Sequence, residues 1–522
     1  TLEQNSVYQQ IIQDIHTAKA GKRLKPFLLY GVTGSGKTEI YLRLVEDTCR
    51  KGKQSIMLVP EISLTPQTIK RFTSRFPGKV GIIHSRLSTG ERYDTWRRAR
   101  NGDIDIIIGP RSALFTNLPN LGLIIADEFE DDSYYQNDLR PFYSTVRTSL
   151  AYAYLKNIPV ILGSATPDIS WKYRAEHDGW KILHLPSRIL AHKKTIDTHL
   201  QKLQIVHPPM LIANDQAASL PLPPVQIVDM REELKDGNRS IFSRSLQNAL
   251  ETILQKQEQA ILYLNRRGSA TYVFCRDCGK SLLCPNCETT LTYHESLAKL
   301  LCHTCNYQRN MPKTCPSCGS PNIRQYGTGT EKVERELSLK YPQARILRLD
   351  AGTTQKKDAY NLILETFANH QADILVGTQM LAKGLDLPLV TLVGVVLADV
   401  GLNLPDYRST ERVFQLLTQV AGRAGRSPLG GKVILQTFDP NHYVIQAAAN
   451  HNYEQFYQLE LAKRQKIRYP PFYRLARLEF RHQNAREAEQ TAILFASQLQ
   501  EWIDSGDYPS SEIIGPVPCY FH

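Results

Sequence analysis

Residues 27–38 read Phe27-Leu-Leu-Tyr-Gly31-Val-Thr-Gly-Ser-Gly36-Lys37-Thr38, an apolar run, a glycine-rich turn, and Lys-Thr opening a helical pattern. Only backbone stripped of side chains can wrap phosphates with its amides, which is why the turn needs glycines. A helix starting at Lys37 adds the positive end of its dipole. Lys37 is then placed for the β- and γ-phosphates of a nucleotide, and Thr38 for a magnesium ion. Gly31, Val32, Thr33, Gly34, Ser35, Gly36, Lys37 and Thr38 are therefore the candidate nucleotide cradle, with ATP and Mg²⁺ as the expected ligands. A chance glycine turn would have no reason to sit between a strand and a helix.

Working outward, short continuous apolar runs recur at 26–31, 55–61, 104–110, 121–128 and 159–166, and again at 260–268, 372–378, 389–399 and 431–437. Such runs are what strands buried on both faces look like. Helical patterns lie between many of them, at 39–52 and 409–425 for example, so an α/β architecture of parallel, doubly wound sheets is predicted. The runs fall into two sets, 1–185 and 225–450. Residues 186–224 read as a linker or excursion. A cysteine block over 273–320 divides the second set into 225–272 and 321–450. The stretch 451–522 predicts a partial α+β domain, with RLARLEF (474–480) as its strand. Ligands of such sheets sit beyond the carboxyl ends of the strands.

The 522 residues suggest three or four domains. With 42% hydrophobic and 22% charged residues, disorder is excluded as the dominant state. No run has the length of a membrane span, and TLEQNSVYQQ lacks the features of a secretory signal. A chain opening on Thr1 reads as a fragment or a processed form. The formal charge of +12 suits a polyanionic partner, or a solvated basic surface. Eight of the ten cysteines form CxxC pairs: Cys275/Cys278, Cys284/Cys287, Cys302/Cys305 and Cys315/Cys318. Without an export signal this favours metal in a reducing cytosol over disulfides. Four pairs make two Cys₄ zinc sites. The five residues between Cys278 and Cys284 are tight for a chain that must double back, whereas the fourteen between Cys287 and Cys302 suit a hairpin. A nested arrangement follows: Cys284, Cys287, Cys302 and Cys305 on one zinc, Cys275, Cys278, Cys315 and Cys318 on the other.

Two further constellations complete the nucleotide site. Asp127-Glu128 ends the apolar run 121–128, placing Asp127 for the magnesium shell and Glu128 to orient and deprotonate an attacking water. Far along the chain stands Gln419-Val-Ala-Gly-Arg423-Ala-Gly-Arg426. Arg423 and Arg426, three apart, share a face if helical, and their planar forks suit phosphate oxygens. Arginines supplied from the second set would make hydrolysis sense whether the two lobes are closed.

GVTGSGKT, VPEISLTPQ (59–67), GPRSALF (109–115), ADE, GSATP (163–167), LNRRG (264–268), GTQMLAKG (377–384) and QVAGRAGR resemble the ordered motifs of superfamily 2 helicases. The wording is most similar to the bacterial primosomal protein N′ (PriA) family of replication-restart helicases, over nearly the whole chain. The resemblance implies two RecA-like lobes with an inserted double-zinc module. It implies Gly36, Lys37, Thr38, Asp127, Glu128, Gln419, Arg423 and Arg426 as the ATPase machinery, and Gln4 as reader of the adenine. Ser164 and Thr166 would couple hydrolysis to movement. DNA contacts are implied near 60–65, at Arg111 and Ser112 within 111–115, and at Thr328 and Thr330 in the turn 327–330. An aromatic-rich loop holds Tyr134, Tyr135, Phe142 and Tyr143, whose rings either stack on unpaired bases or pack in the core. The implied activity is ATP-dependent 3′→5′ unwinding at stalled forks and primosome assembly. The implied partners are forked DNA, single-stranded-DNA-binding protein, and primosome proteins including the replicative helicase and its loader. A monomer without membrane contact, cytoplasmic and nucleoid-associated, is expected. The chain departs from the family's Asp-Glu-Glu-His by reading Asp127-Glu128-Phe129-Glu130, which weakens the inference of coupling and keeps open a fork-binding scaffold with a feeble or uncoupled ATPase. An RNA motor is a third reading, which the zinc block disfavours.

Overall fold

Strands rich in Ile, Leu and Val on both faces can be buried only between two helical layers, and this decides both sheets. The computed structural model describes residues 1–18, 23–60, 66–85, 87–137, 140–189, 219–265, 271–286, 290–294, 298–303, 305–325, 329–350, 352–354, 359–381, 387, 389–402, 404, 406–424, 430–506 and 511–518. The first sheet has seven strands in the order Val80–Ile82, Ile106–Gly109, Gln54–Leu58, Leu121–Asp127, Val160–Ser164, Phe27–Gly31 and Lys181–Leu185. Every pairing in it is parallel. The second has six parallel strands, in the order Val225–Asp229, Lys432–Thr437, Val390–Leu397, Gln259–Leu264, Ile374–Gly377 and Ile346–Leu349. Alternate residues of one strand feed opposite cores. Leu28 belongs to the cluster with Ile56, Ile124 and Trp171, while Phe27 and Leu29 join Ile40, Leu44 and Met57. Ile261 and Tyr263 likewise face away from Ala260 and Leu262. The chain therefore carries two RecA-like α/β lobes.

Register sets the site. Tyr30 pairs with Ser164 and Asp127 with Gly163, so the strand ends bearing the glycine-rich turn, the acidic pair and the GSATP loop lie side by side. Between strands of the second lobe, a five-stranded antiparallel sheet carries the cysteine block, with Thr292–His294 and Lys299–Leu301 forming the expected hairpin. Phe274 against Phe438 fastens this sheet to the second lobe at 5.0 Å between ring centroids.

The lobes meet through buried polar groups. Glu411, on the helix Ser409–Ala421, accepts from the backbone amide of Ile169 at 2.8 Å and pairs with Arg464 at 2.8 Å. Arg464 also reaches Glu460 at 3.0 Å, and all three side chains are excluded from solvent. Tyr453, on the helix Tyr453–Lys466, donates to the carbonyl of Pro167 at 2.7 Å. Lys172 of the first lobe pairs with Glu454 and stands 3.9 Å from the centre of the Tyr457 ring.

Several expectations are corrected. The helix expected over 409–425 stops at Ala421, where Gly422 caps it, so Arg423 lies on a turn beyond the helix end. Residues 474–480, expected as a strand, have no strand beside them among the described residues and make no ladder; the following helix Ala485–Ser505 buries none of its side chains. Most of the linker expected over 186–224 lies outside the described residues, although Arg188–Ile189 pairs with Ser219–Leu220. No helix among the described residues is long and apolar enough to cross a membrane.

Removing one member of a buried ion cluster strands the others without compensation. Arg464→Ala is therefore expected to lower the unfolding free energy by about 3–5 kcal/mol in a denaturant titration, and a loss under about 1 kcal/mol contradicts this account of the interface.

Candidate functional site

The turn after Tyr30 is built from glycines for steric reasons visible at two positions. A Cβ on Gly31 would lie 2.6 Å from Ser35 Oγ, and one on Gly36 would lie 2.1 Å from Gln4 Nε2. Gly34 and Gly36 also adopt left-handed backbone, φ +85° and +81°. Gly36 caps the helix Lys37–Arg50 without a side-chain hydrogen bond, its carbonyl accepting from the amide of Glu39 at 3.0 Å. Lys37 Nζ donates to the carbonyl of Gly31 at 2.7 Å, which holds the ammonium over the cradle. Gln4, expected beside an adenine, donates to the carbonyls of Gly36 at 3.2 Å and Ser35 at 3.5 Å, and so braces the loop itself.

Asp127 ends its strand within reach of this cradle. Its Oδ1 accepts from Tyr41 Oη at 2.9 Å, and Tyr41 fits only because residue 163 is glycine: a Cβ there would sit 1.6 Å from the hydroxyl. Burial pushes the Asp127 carboxyl up to about 6, with Lys37 pulling it back and the charge of Glu128 adding to the rise. Glu128 takes positive φ, +46°, which turns it out of the strand direction. Phe129 is buried in the first-lobe core. Glu130 is 5% exposed, and burial, followed by repulsion from Glu128, pushes its carboxyl up to about 8. Thr166 Oγ1 stands 3.5 Å from Glu130 Oε1, and the amide of Thr166 is held by Ser164 Oγ at 2.8 Å. Hard carboxylate and hydroxyl oxygens beside an amide-lined turn fit a magnesium-bound triphosphate, with Asp127 and Thr38 as the residues that would hold the ion.

The second lobe closes over this face. A Cβ on Gly422 would lie 2.9 Å from Thr33 Cβ, so the Gly422–Arg423 turn rests directly on the cradle. Arg423 is 5% exposed there. Gln419 lines a cavity of about 90 Å³ between the lobes, together with Glu130, Asn265, Gln379, Arg412 and Gln415. Gln415 donates to the carbonyl of Thr166 at 3.3 Å, a direct contact between the helix Ser409–Ala421 and the GSATP loop. Arg426 lies outside the described residues.

The expected DNA contacts separate. Arg111 opens the short helix Arg111–Phe115 and donates to the carbonyl of Tyr135 at 3.0 Å; Ser112 beside it is exposed. Phe115 and Phe142 are exposed, and Phe115 meets Tyr143 edge-on at 5.3 Å. Tyr135 is half-buried under Arg408. Tyr134 is corrected: it is fully buried in the first-lobe core and donates to the carbonyl of Asp127 at 2.8 Å, so no face is left for a base. Thr330 is also corrected as a side-chain contact, because it is buried and its hydroxyl donates to Asp350 at 2.6 Å. Thr328 and residues 61–65 lie outside the described residues. Tyr41 and Gln415 escaped the sequence reading, although each is placed by helical spacing, four residues from Lys37 and from Gln419. Arg188, treated below, carried no sequence signal.

The cysteines group as the nested reading expects. Sγ atoms of Cys275, Cys278, Cys315 and Cys318 lie within 4.8 Å of one another, as do those of Cys284, Cys302 and Cys305. Close pairs are Cys275–Cys318 at 3.6 Å, Cys278–Cys315 at 3.7 Å and Cys284–Cys305 at 3.4 Å. Cys287 lies outside the described residues. Soft thiolates at this spacing fit tetrahedral zinc.

Fold and site together define a helicase: a DEAD/DEAH box helicase model matches residues 4–173, and a helicase conserved C-terminal domain model matches 322–428. A PriA DNA helicase Cys-rich region model matches 284–309. The chain is 48% identical to the replication restart protein PriA of Synechocystis sp. over 94% of its own length and 56% of that protein. It is 44% identical to the Bacillus subtilis protein, over 99% of this chain and 60% of the relative. Against the Treponema pallidum protein it is 36% identical, over 97% of this chain and 71% of the relative. The chain belongs to the PriA family of replication restart proteins, and it spans 56–60% of the length of the first two relatives.

The proton on Glu130 has a consequence for stability. Its folded value near 8 exceeds the ordinary 4.5, so the fold keeps a proton that the unfolded chain releases. The stability it carries is full at low pH and is lost as pH rises through 8. Relative to the parent, Glu130→Gln is expected to gain on the order of 2–4 kcal/mol between about pH 5.5 and about pH 8.5 in denaturant melts. An equal difference at both pH values contradicts it.

Proposed function

We propose that the chain is the motor part of an ATP-dependent DNA helicase that moves 3′→5′ on single strands, opens duplex at stalled forks and takes part in primosome assembly. The seating of the Gly422–Arg423 turn on Thr33 supports this reading best, because it makes one nucleotide site out of two lobes. The cradle 31–38 binds the triphosphate, with Lys37 on its terminal oxygens. Mg²⁺, which Asp127 and Thr38 would hold, would supply neutralisation of the phosphate charge. Glu128 orients the water and accepts its proton. Arg423 and Arg426, together with Gln419, stabilise charge on the transferred phosphoryl group. Loss of that charge releases the turn, and the contact of Gln415 with Thr166 passes the change to the GSATP loop. Exposed Phe115 and Phe142, with Arg111 and Ser112, face an unpaired strand, where aromatic faces serve any base. Two zinc ions hold the cysteine module. Partners in this reading are forked DNA, single-stranded-DNA-binding protein and the replicative helicase with its loader, for a monomer in the cytoplasm associated with the nucleoid.

Forked DNA is expected to stimulate ATP hydrolysis more than RNA does, and Lys37→Ala to reduce the stimulated rate at least about 100-fold. Equal rates for parent and variant overturn the site. Strong DNA-stimulated hydrolysis without unwinding in a 3′-tailed strand-displacement assay favours the uncoupled scaffold instead.

Metal analysis of the purified chain is expected to give two zinc ions per molecule, and Cys302→Ala to leave one. Retention of both ions in the variant contradicts the nested assignment.

A further inference from the structure

Arg188 belongs to no motif, yet it touches both halves of the nucleotide site. It follows the strand Lys181–Leu185 in the first lobe and is 3% exposed. Its stem lies across the phosphate-binding turn: a Cβ added to Gly34 would be 3.2 Å from Arg188 Cγ. The backbone is fastened to the same turn, since the amide of Ile189 donates to the carbonyl of Gly34 at 3.0 Å and that of Val32 to the carbonyl of Leu185 at 3.2 Å. Its guanidinium crosses to the second lobe. Nη2 donates to the carbonyl of Gly422 at 3.2 Å and to that of Ala424 at 3.1 Å. Those carbonyls flank Arg423 on either side.

The chemistry of the contact is specific. A helix leaves its last carbonyls without partners and carries partial negative charge at that end. Gly422 caps the helix Ser409–Ala421, where the amides of Arg423 and Ala424 take up the carbonyls of Val420 and Ala421, so the cation sits at the negative end of the dipole and binds carbonyls just past the last turn. One planar nitrogen reaching two carbonyls fixes the turn in orientation as well as in place, which a lysine ammonium does poorly.

We infer that Arg188 is the positioning residue for Arg423: it ties the carbonyls on both sides of Arg423 to the backbone of Gly34. This rests on Arg423 completing the ATP site, as proposed above. The shape of the phosphate-binding turn and the placement of the second-lobe arginine are thereby one mechanical unit, although 234 positions separate Arg188 from Gly422. Arg188 touches no phosphate in this account and acts only through its neighbour.

The test is steady-state ATPase on the full chain with forked DNA, for Arg188→Lys, Arg423→Lys, the double variant and Arg423→Ala, with melting curves for each. Arg188→Lys is expected to keep its melting temperature within a few degrees, to lower kcat at least about 10-fold and to change KM for ATP less than about 3-fold. In the double variant, kcat is expected to fall no more than about 2-fold below the slower single variant, as for residues acting as one unit. Losses that multiply, or an unchanged kcat for Arg188→Lys while Arg423→Ala is inactive, overturn the inference about Arg188. Full hydrolysis by Arg423→Ala instead overturns the reading of the site on which the inference rests, and the inference with it.

Discussion

A glycine with no room for a Cβ governs how the two lobes meet. Gly422 stands so close to Thr33 that a Cβ there would lie 2.9 Å from the Thr33 Cβ, so a larger residue would force the turn or Thr33 to shift. The contact explains a local oddity, since glycine is among the weakest helix formers and would serve little purpose on an exposed helical face. Here it ends the helix Ser409–Ala421 and brings Arg423 onto the first lobe in one step. Specificity of geometry follows from sterics, and chemistry is then free to use it.

The rest of the interface supplies the affinity that keeps that contact in register. Glu411, Arg464 and Glu460 form a buried cluster that also takes up the amide of Ile169, so charge, helix terminus and lobe interface are satisfied together. Arg408 adds Asp132 and Asp168 of the first lobe, at 3.3 and 3.1 Å. Taking ions out of water is costly unless each finds its partners, so an interface of this type tolerates few alternative alignments. The helix Tyr453–Lys466 takes part from beyond the last strand of the second sheet, through Tyr453, Glu454 and Tyr457. One consequence is that the GSATP loop is gripped from two helices, by Gln415 at Thr166 and Tyr453 at Pro167.

Much of this was legible from the chain alone. Continuous apolar runs gave the central strands of both sheets, because burial on both faces leaves no alternation to misread. The CxxC spacing gave the nested grouping, because loop length limits which thiolates can meet. That the acidic pair and the glycine-rich turn lie side by side was legible because each ends a buried strand of one parallel sheet. What escaped reading was set by tertiary context. Tyr134 read equally as a stacking ring or a core residue, and is core, since its hydroxyl finds the carbonyl of Asp127 inside the lobe. Thr330 looked like a phosphate contact, but its side chain is taken up by Asp350, an acid twenty residues away. Residues 474–480 had a strand's composition without a neighbouring strand among the described residues to pair with, and pairing makes the strand. Arg188 could not be found from sequence, because what it holds is two backbone carbonyls.

The central claim is that one triphosphate is held by both lobes at once. Its most direct test is a crystal structure of the full chain with Mg²⁺, a non-hydrolysable ATP analogue and a 3′-tailed DNA. The account predicts the Arg423 guanidinium within about 3 Å of a γ-phosphate oxygen, with Lys37 on the same group. A nucleotide held by residues 31–38 alone, with Arg423 turned away from it, would contradict the account.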